Sequence, residues 1–182
     1  MRKRVCVFCG ARTGNSKEII SAVKTLCDLL IAEEFDLVYG GGKSGIMGII
    51  ANKFMEGNRQ VIGIRPEKLI ADEDAHHEIT KLIIVKDMFE RKQQLMNEAD
   101  IFISLPGGVG TLDELLEVFT HVKIGYISNK YNFVFNFKHY YDSLKELIKT
   151  MVKNDFLTEK DAQLLHFINT EKELANRIIE LV

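Results

Sequence analysis

Twice in this chain a short apolar run breaks into glycine and resumes as a helical pattern. Ile101-Phe102-Ile103-Ser104-Leu105 leads through Pro106-Gly107-Gly108-Val109-Gly110-Thr111-Leu112-Asp113-Glu114 into Leu115-Leu116-Glu117-Val118-Phe119. Asp36-Leu37-Val38-Tyr39 leads through Gly40-Gly41-Gly42-Lys43-Ser44-Gly45 into Ile46-Met47-Gly48. A buried strand that turns sharply into a helix is the repeating unit of a parallel α/β sheet. Glycine lets the backbone bend and come close to a ligand. The amides opening the helix then point at that ligand, and the aligned peptide dipoles favour an anion. Asp113 and Glu114 set carboxylates beside the first of these anion cradles.

The rest of the chain repeats the alternation. Arg4 to Phe8 reads as a strand, and Ile19, Ile20, Val23, Leu26, Cys27, Leu30 and Ile31 recur at helical spacing. Further strands are expected at Gln60–Ile64, Thr80–Val85 and Asn132–Phe135, a charged helix at Asp87–Asn97, and mostly helix after that. The order implies a single α/β domain over residues 1–182, with a Rossmann-like, doubly wound parallel sheet flanked by helices. Glu67 to Glu78, which contains His76-His77, is the longest expected loop.

Composition narrows the function. The net charge of −2 argues against a nucleic-acid partner. No run approaches the ~18 apolar residues of a membrane span, and the apolar run behind the basic Met1–Arg4 is too short for a signal peptide. A cytoplasmic protein is expected. Cys6, Cys9 and Cys27 lack the spacing of a zinc site. On a strand Cys6 and Cys9 would face opposite ways, which disfavours a redox pair.

The Gly40 turn satisfies G-x-G-x-x-G in the strand-to-helix context. A dinucleotide site also wants an acid at the end of the next strand, and Ile62-Gly63-Ile64-Arg65 lacks one. Nor is the turn a P-loop, because Leu37 stands where the first glycine belongs. Two such turns at the ends of different strands can face one crevice, one holding phosphate and the other a sugar or base. Gly41, Gly42, Ser44, Gly45 and Met47 are therefore candidate binding residues, together with Pro106, Gly107 and the amides of Gly108, Val109, Gly110 and Thr111. Within Asp87-Met88-Phe89-Glu90-Arg91-Lys92, Arg91 offers a planar fork for phosphate or carboxylate, and Lys92 a point charge. Met88 joins the candidate set.

Gly40–Gly42 with Gly45–Gly48, Met88–Lys92 and Pro106–Glu114 together resemble the LOG family of cytokinin riboside 5′-monophosphate phosphoribohydrolases, many once labelled "lysine decarboxylase". The resemblance runs from about Val5 to Asp142, and P-G-G-x-G-T-x-x-E is its most specific part. It implies hydrolysis of the N-glycosidic bond of an adenosine-type 5′-monophosphate by a protein that is typically a homodimer, sometimes a larger assembly, and needs no redox cofactor; no cofactor or metal is expected. By match to the family's pattern, Arg91 and Glu114 would be the catalytic pair. Glu73, Lys92, the turn from Gly108 through Leu112 and Asp113 to Glu114, and Thr120 would bind substrate. Glu117, one turn before Thr120, either lines the same side or is helix surface. Ala11-Arg12, Phe119, Tyr131 and His139 depart from the family's usual residues. The alternative is a non-catalytic carrier of a nucleotide or of a phosphorylated cofactor such as molybdopterin. Decarboxylation finds no support in the residues, since it generally needs pyridoxal phosphate on a Schiff-base lysine.

Overall fold

The computed structural model describes residues 3–69, 74–128 and 130–181. Its strands are β1 (Arg4–Phe8), β2 (Asp36–Tyr39), β3 (Val61–Pro66), β4 (Lys81–Val85), β5 (Ile101–Ser104), β6 (Tyr131–Phe135) and β7 (Leu165–Ile168). The helices are α1 (Lys17–Ala32), α2 (Gly45–Glu56), α3 (Met88–Glu98), α4 (Val109–Lys123), α5 (Asp142–Lys153), α6 (Glu159–Ala162) and α7 (Glu171–Ile179). The strands form one sheet in the order β4-β3-β2-β1-β5-β6-β7, every neighbouring pair parallel.

Side-chain alternation along the central strands builds a core on each face. Val5, Val7 and Cys9 of the β1 segment join Ile101 and Ile103 against α1, α2 and α7. Cys6, Phe8 and Phe102 face the other way, onto Leu95 and Met96 of α3 and Val118 of α4. A third cluster, around Leu115, Val134 and Ile148, seats α4 and α5 on the β6–β7 side. Cys6 and Cys9 thus lie on opposite faces. Both are unbridged and buried, as is Cys27. Burial pushes all three thiols up, away from the reactive thiolate.

From β1 the chain winds outward through β2, β3 and β4, then returns to β5 on the other side of β1 and winds out through β6 and β7. The order therefore reverses between β1 and β5. At such a switch point the two connections leave in opposite directions and open a crevice beyond the strands' carboxyl ends.

β7 is the one strand the periodicity does not announce. Leu165-His166-Phe167-Ile168 is four residues long, lies at the sheet edge and is only half-buried at its two central positions. So short a run carries too few alternations to stand out from the helices around it.

Candidate active site

A crevice of about 700 Å³ opens at the carboxyl ends of β5, β1, β2 and β3, within the range of small-molecule sites. The turn after β5 forms one wall. A Cβ on Gly107 would come within 2.1 Å of Thr111 Oγ1 and 3.0 Å of the Gly10 amide nitrogen, so only glycine fits there. Two hydroxyls hold this turn from the β6–α5 junction: Tyr140 donates to the Gly107 carbonyl (2.7 Å) and Tyr141 to that of Leu105 (2.6 Å). Gly108 is the N-cap of α4 and brings no side-chain cap. The first-turn amides of α4, which have no partner within the helix, are left to an anion.

The opening of α2 is used differently. Its first amides, on Ile46 and Met47, are directed at the carbonyl of Gly10 (3.1 and 3.4 Å). Gly41 and Gly45 have φ of +75° and +62°, a region that side chains adopt only with strain. A Cβ on Gly45 would also lie 2.3 Å from the Ala11 carbonyl carbon. These glycines fit the second turn against β3 and the segment after β1, and Gly40 faces the crevice.

One turn into α4, Glu114 is buried and meets Arg91 of α3, with Nη1 to Oε1 at 2.9 Å. Arg91 is also tied to the sheet: its Nε donates to the Ile64 carbonyl at 3.1 Å. A Cβ on Gly40 would fall 2.3 Å from Arg91 Nη2, so the missing side chain there is what seats the guanidinium. Asp87 caps α3 by accepting from the amides of Phe89 and Glu90, both at 3.0 Å, which fixes the start of the helix one turn before Arg91. Burial raises the Glu114 carboxyl above the ordinary carboxylate range. Arg91 pulls it back down, and Asp113 adds to the rise.

Of the residues singled out from sequence, Met47, Arg91, Glu114 and the run from Pro106 to Thr111 line the crevice. Met88 stands beside Arg91, its sulfur 3.9 Å from Nη1. Gly41, Gly42 and Ser44 are not part of the lining, and Gly45 edges an adjoining shallow hollow with Arg12 to Asn15. Lys92, Asp113 and Glu117 lie behind the catalytic candidates, where Lys92 Nζ bridges Glu117 (2.5 Å) and Asp113 (3.2 Å) and ties α3 to α4. Leu112 packs into the third cluster. Thr120 is exposed and donates to the Leu116 carbonyl in its own helix (2.8 Å). Glu73 lies outside the described residues.

The crevice also contains groups that sequence reasoning passed over. The segment Gly10 to Ser16 forms the wall beside the α4 cradle and carries the exposed Arg12. Arg65, Asp74 and Tyr140 complete the lining. Cys9-Gly10-Ala11-Arg12 follows the first strand as the other two turns follow theirs. That position was the available signal.

A family model described as "Possible lysine decarboxylase" matches residues 47–178. Cytokinin riboside 5′-monophosphate phosphoribohydrolase LOG1 of Arabidopsis thaliana is 37% identical over 180 residues, covering 99% of this chain and 84% of that protein. The probable cytokinin riboside 5′-monophosphate phosphoribohydrolase LOGL3 of Oryza sativa subsp. japonica is 38% identical, covering 99% and 85%. The chain belongs to the LOG family. This LOG-family chain shares its fold with a molybdenum cofactor binding protein from Rippkaea orientalis (TM-score 0.73, 17% identity, 100% and 98% covered). The molybdenum cofactor carrier protein of Chlamydomonas reinhardtii is similar in the same degree (TM-score 0.72, 14% identity, 100% and 98% covered). At such identities the likeness is one of architecture.

Proposed function

We propose that this LOG-family chain hydrolyses the N-glycosidic bond of an adenosine-type nucleoside 5′-monophosphate, releasing the free base and ribose 5-phosphate. The observation that carries the reading is the ion pair of Arg91 with the buried Glu114, set one helical turn from an uncapped anion cradle. With the 5′-phosphate on the amides of α4, the sugar lies over Glu114. Cleavage builds positive charge on the sugar ring in an oxocarbenium-like transition state. The Glu114 carboxylate stabilises that charge and takes a proton from the attacking water, whose oxygen bonds to the sugar carbon as the base departs with the bonding electron pair; the base gains its proton from solvent, to which Glu114 gives up the one it took. Arg91 stays charged and donates no proton. Its task is to orient Glu114 and to keep the buried carboxyl ionised.

The carrier reading rests on likenesses of 17% and 14% identity, whereas relatives near 37% carry hydrolase names. A carrier also gains nothing from a buried carboxylate beside its bound anion. The pyridoxal chemistry of a decarboxylase does not fit either, because among the described residues no lysine lines the crevice. Incubation with adenosine 5′-monophosphate and with N6-isopentenyladenosine 5′-monophosphate tests the reading. Base and ribose 5-phosphate should appear in equal amounts; binding without release from either nucleotide would favour the carrier.

We further propose a homodimer joined through α3 and α4. The Lys92 ion pairs tie these two helices together, and Phe89 (81% exposed) and Leu116 (38%) lie at helical spacing beside Lys92 and Asp113, leaving apolar surface open for a second copy. Light scattering should give twice the chain mass, and Phe89→Glu should reduce it to that of the monomer. Mass unchanged in that variant would move the interface elsewhere. No helix of the described residues is long and apolar enough to cross a membrane. The three unbridged, buried cysteines suit a reducing compartment such as the cytoplasm.

A further inference from the structure

Among the described residues five charged side chains line the crevice, and four of them are paired. Arg91 meets Glu114 at 2.9 Å, and Arg65 Nη2 stands 3.9 Å from Asp74 Oδ2. The fifth, Arg12, is exposed, and its guanidinium makes no ion pair or hydrogen bond among the described residues. Lining the crevice while facing solvent, it stands at the mouth. It supplies the one positive charge there that no carboxylate of the lining offsets.

The backbone beneath Arg12 is held from two sides. Gly10 packs on the turn after β5: a Cβ there would lie 3.6 Å from the Gly107 Cα and 2.9 Å from the Arg12 carbonyl oxygen, so the chain doubles back within two residues. On the other side, the first amides of α2 are directed at the Gly10 carbonyl, and a Cβ on Gly45 would lie 2.5 Å from the Arg12 nitrogen. Gly10 therefore touches the cradle, and Arg12 follows it by two residues, at most ~7 Å of chain. The side chain starts from a fixed point beside the α4 amides, while its charged end is left without a partner.

We propose that Arg12 is a side-chain ligand of the substrate's 5′-phosphate, closing over the anion from the mouth of the crevice while the α4 amides hold it from within, and that it makes acceptance of a nucleotide depend on that phosphate. The inference rests on the hydrolase reading above. A phosphate monoester carries about −1.5 to −2 at neutral pH, whereas a helix N-terminus offers roughly half a positive charge. The cradle alone leaves most of that charge unmet. Arg65 and Arg91 are already paired with carboxylates, so Arg12 is the lining cation free to meet it, and its planar fork can bond two phosphate oxygens at once. Arg12 stands where the chain departs from the usual residues of its family, so the resemblance does not supply this contact.

The test measures kcat and KM for N6-isopentenyladenosine 5′-monophosphate, and the inhibition constants of ribose 5-phosphate and free adenine, in the wild type, Arg12→Ala and Arg12→Lys. The side chain is exposed and unpartnered among the described residues, so neither substitution should disturb folding. Arg12→Ala should raise KM about 10–100-fold and weaken ribose 5-phosphate by a similar factor. Its kcat should stay within about threefold, because the phosphate is gripped alike before and during bond cleavage. Arg12→Lys should recover part of the loss, since the charge returns without the fork. Adenine, which has no phosphate, should inhibit all three alike. Three results would each overturn the proposal while leaving the hydrolase reading intact: an Arg12→Ala variant within about twofold of the wild type in KM and ribose 5-phosphate inhibition, a loss carried by kcat instead, or an equal weakening of adenine. If the wild type releases base from no nucleotide, that reading fails by itself, and calorimetric binding of ribose 5-phosphate decides the proposal. Binding at least about tenfold weaker in Arg12→Ala sustains it; equal or absent binding overturns it.

Discussion

Glu114→Gln should lower turnover on a nucleoside 5′-monophosphate by about 10²–10⁴-fold, or roughly 3–5 kcal/mol of transition-state stabilisation. The substitution conserves volume, and the amide oxygen can still accept from Arg91, so the buried contact at 2.9 Å need not open. What disappears is the negative charge facing the sugar and the capacity to take a proton from water. In the proposed pose the ground state loses little, because the phosphate would be held on the α4 amides rather than on Glu114. Nucleotide affinity, measured by calorimetry, should therefore stay within a few-fold of the wild type. Turnover within threefold of the wild type would remove Glu114 from the mechanism.

Arg91→Met should show its effect in both rate and pH dependence. Burial raises the Glu114 carboxyl, and Arg91 is the main influence pulling it back. The activity of a carboxylate falls as pH drops through its pKa. The acid limb of kcat/KM in the wild type should therefore lie above the ordinary carboxylate value of about 4.3. Without the guanidinium the carboxyl holds its proton to still higher pH, so the limb should move further up. At neutral pH kcat should fall by about 10²-fold or more. Stability follows the same sign. A carboxyl whose pKa is raised on folding contributes stability that is fully present below its unfolded pKa and is lost as pH rises through its folded pKa. The variant should accordingly lose most against the wild type at alkaline pH. Where the carboxyl is left charged and unpaired, the loss should approach about 3–5 kcal/mol. Paired denaturation curves at pH 5 and pH 8 would measure it, and an equal loss at both would contradict the coupling.

Much of this was written in local pattern. Pro106 to Glu114 could be read as a cradle with an acid at its edge because strand, turn, helix start and carboxylate are consecutive, and the distances between them follow from helix geometry. Arg91 was legible as a functional cation, and the family resemblance named Glu114 beside it, but the contact itself forms only because α3 and α4 lie side by side on one face of the sheet. The Gly40 turn shows the limit of a motif. Its glycines satisfy the dinucleotide pattern, yet the amides that follow them are directed at Gly10, and the strain-tolerant positions serve packing. Lys92 could be read as a phosphate ligand from charge alone, whereas its geometry is that of a strut between two helices. Arg65 and Asp74 could not have been paired from sequence at all. They are brought together by backbone hydrogen bonds between the turn after β2 and the segment leading to β4.

The reversal of strand order between β1 and β5 also bears on how such a crevice can change. The wall of the crevice left to the base hangs on β2, β3 and the segment between β3 and β4, all from the first half of the chain. Arg12 apart, everything proposed to grip the phosphate comes from β5, α4 and the β6–α5 junction, in the second half, where Tyr140 and Tyr141 lock the turn in place. On the proposed reading the two halves are separable modules meeting at a seam, with Arg91 and Glu114 at the join. Divergence in the first module can alter which base is accepted while the second stays untouched. A chimera that splices the first half of one relative to the second half of another should inherit its base preference from the amino-terminal parent.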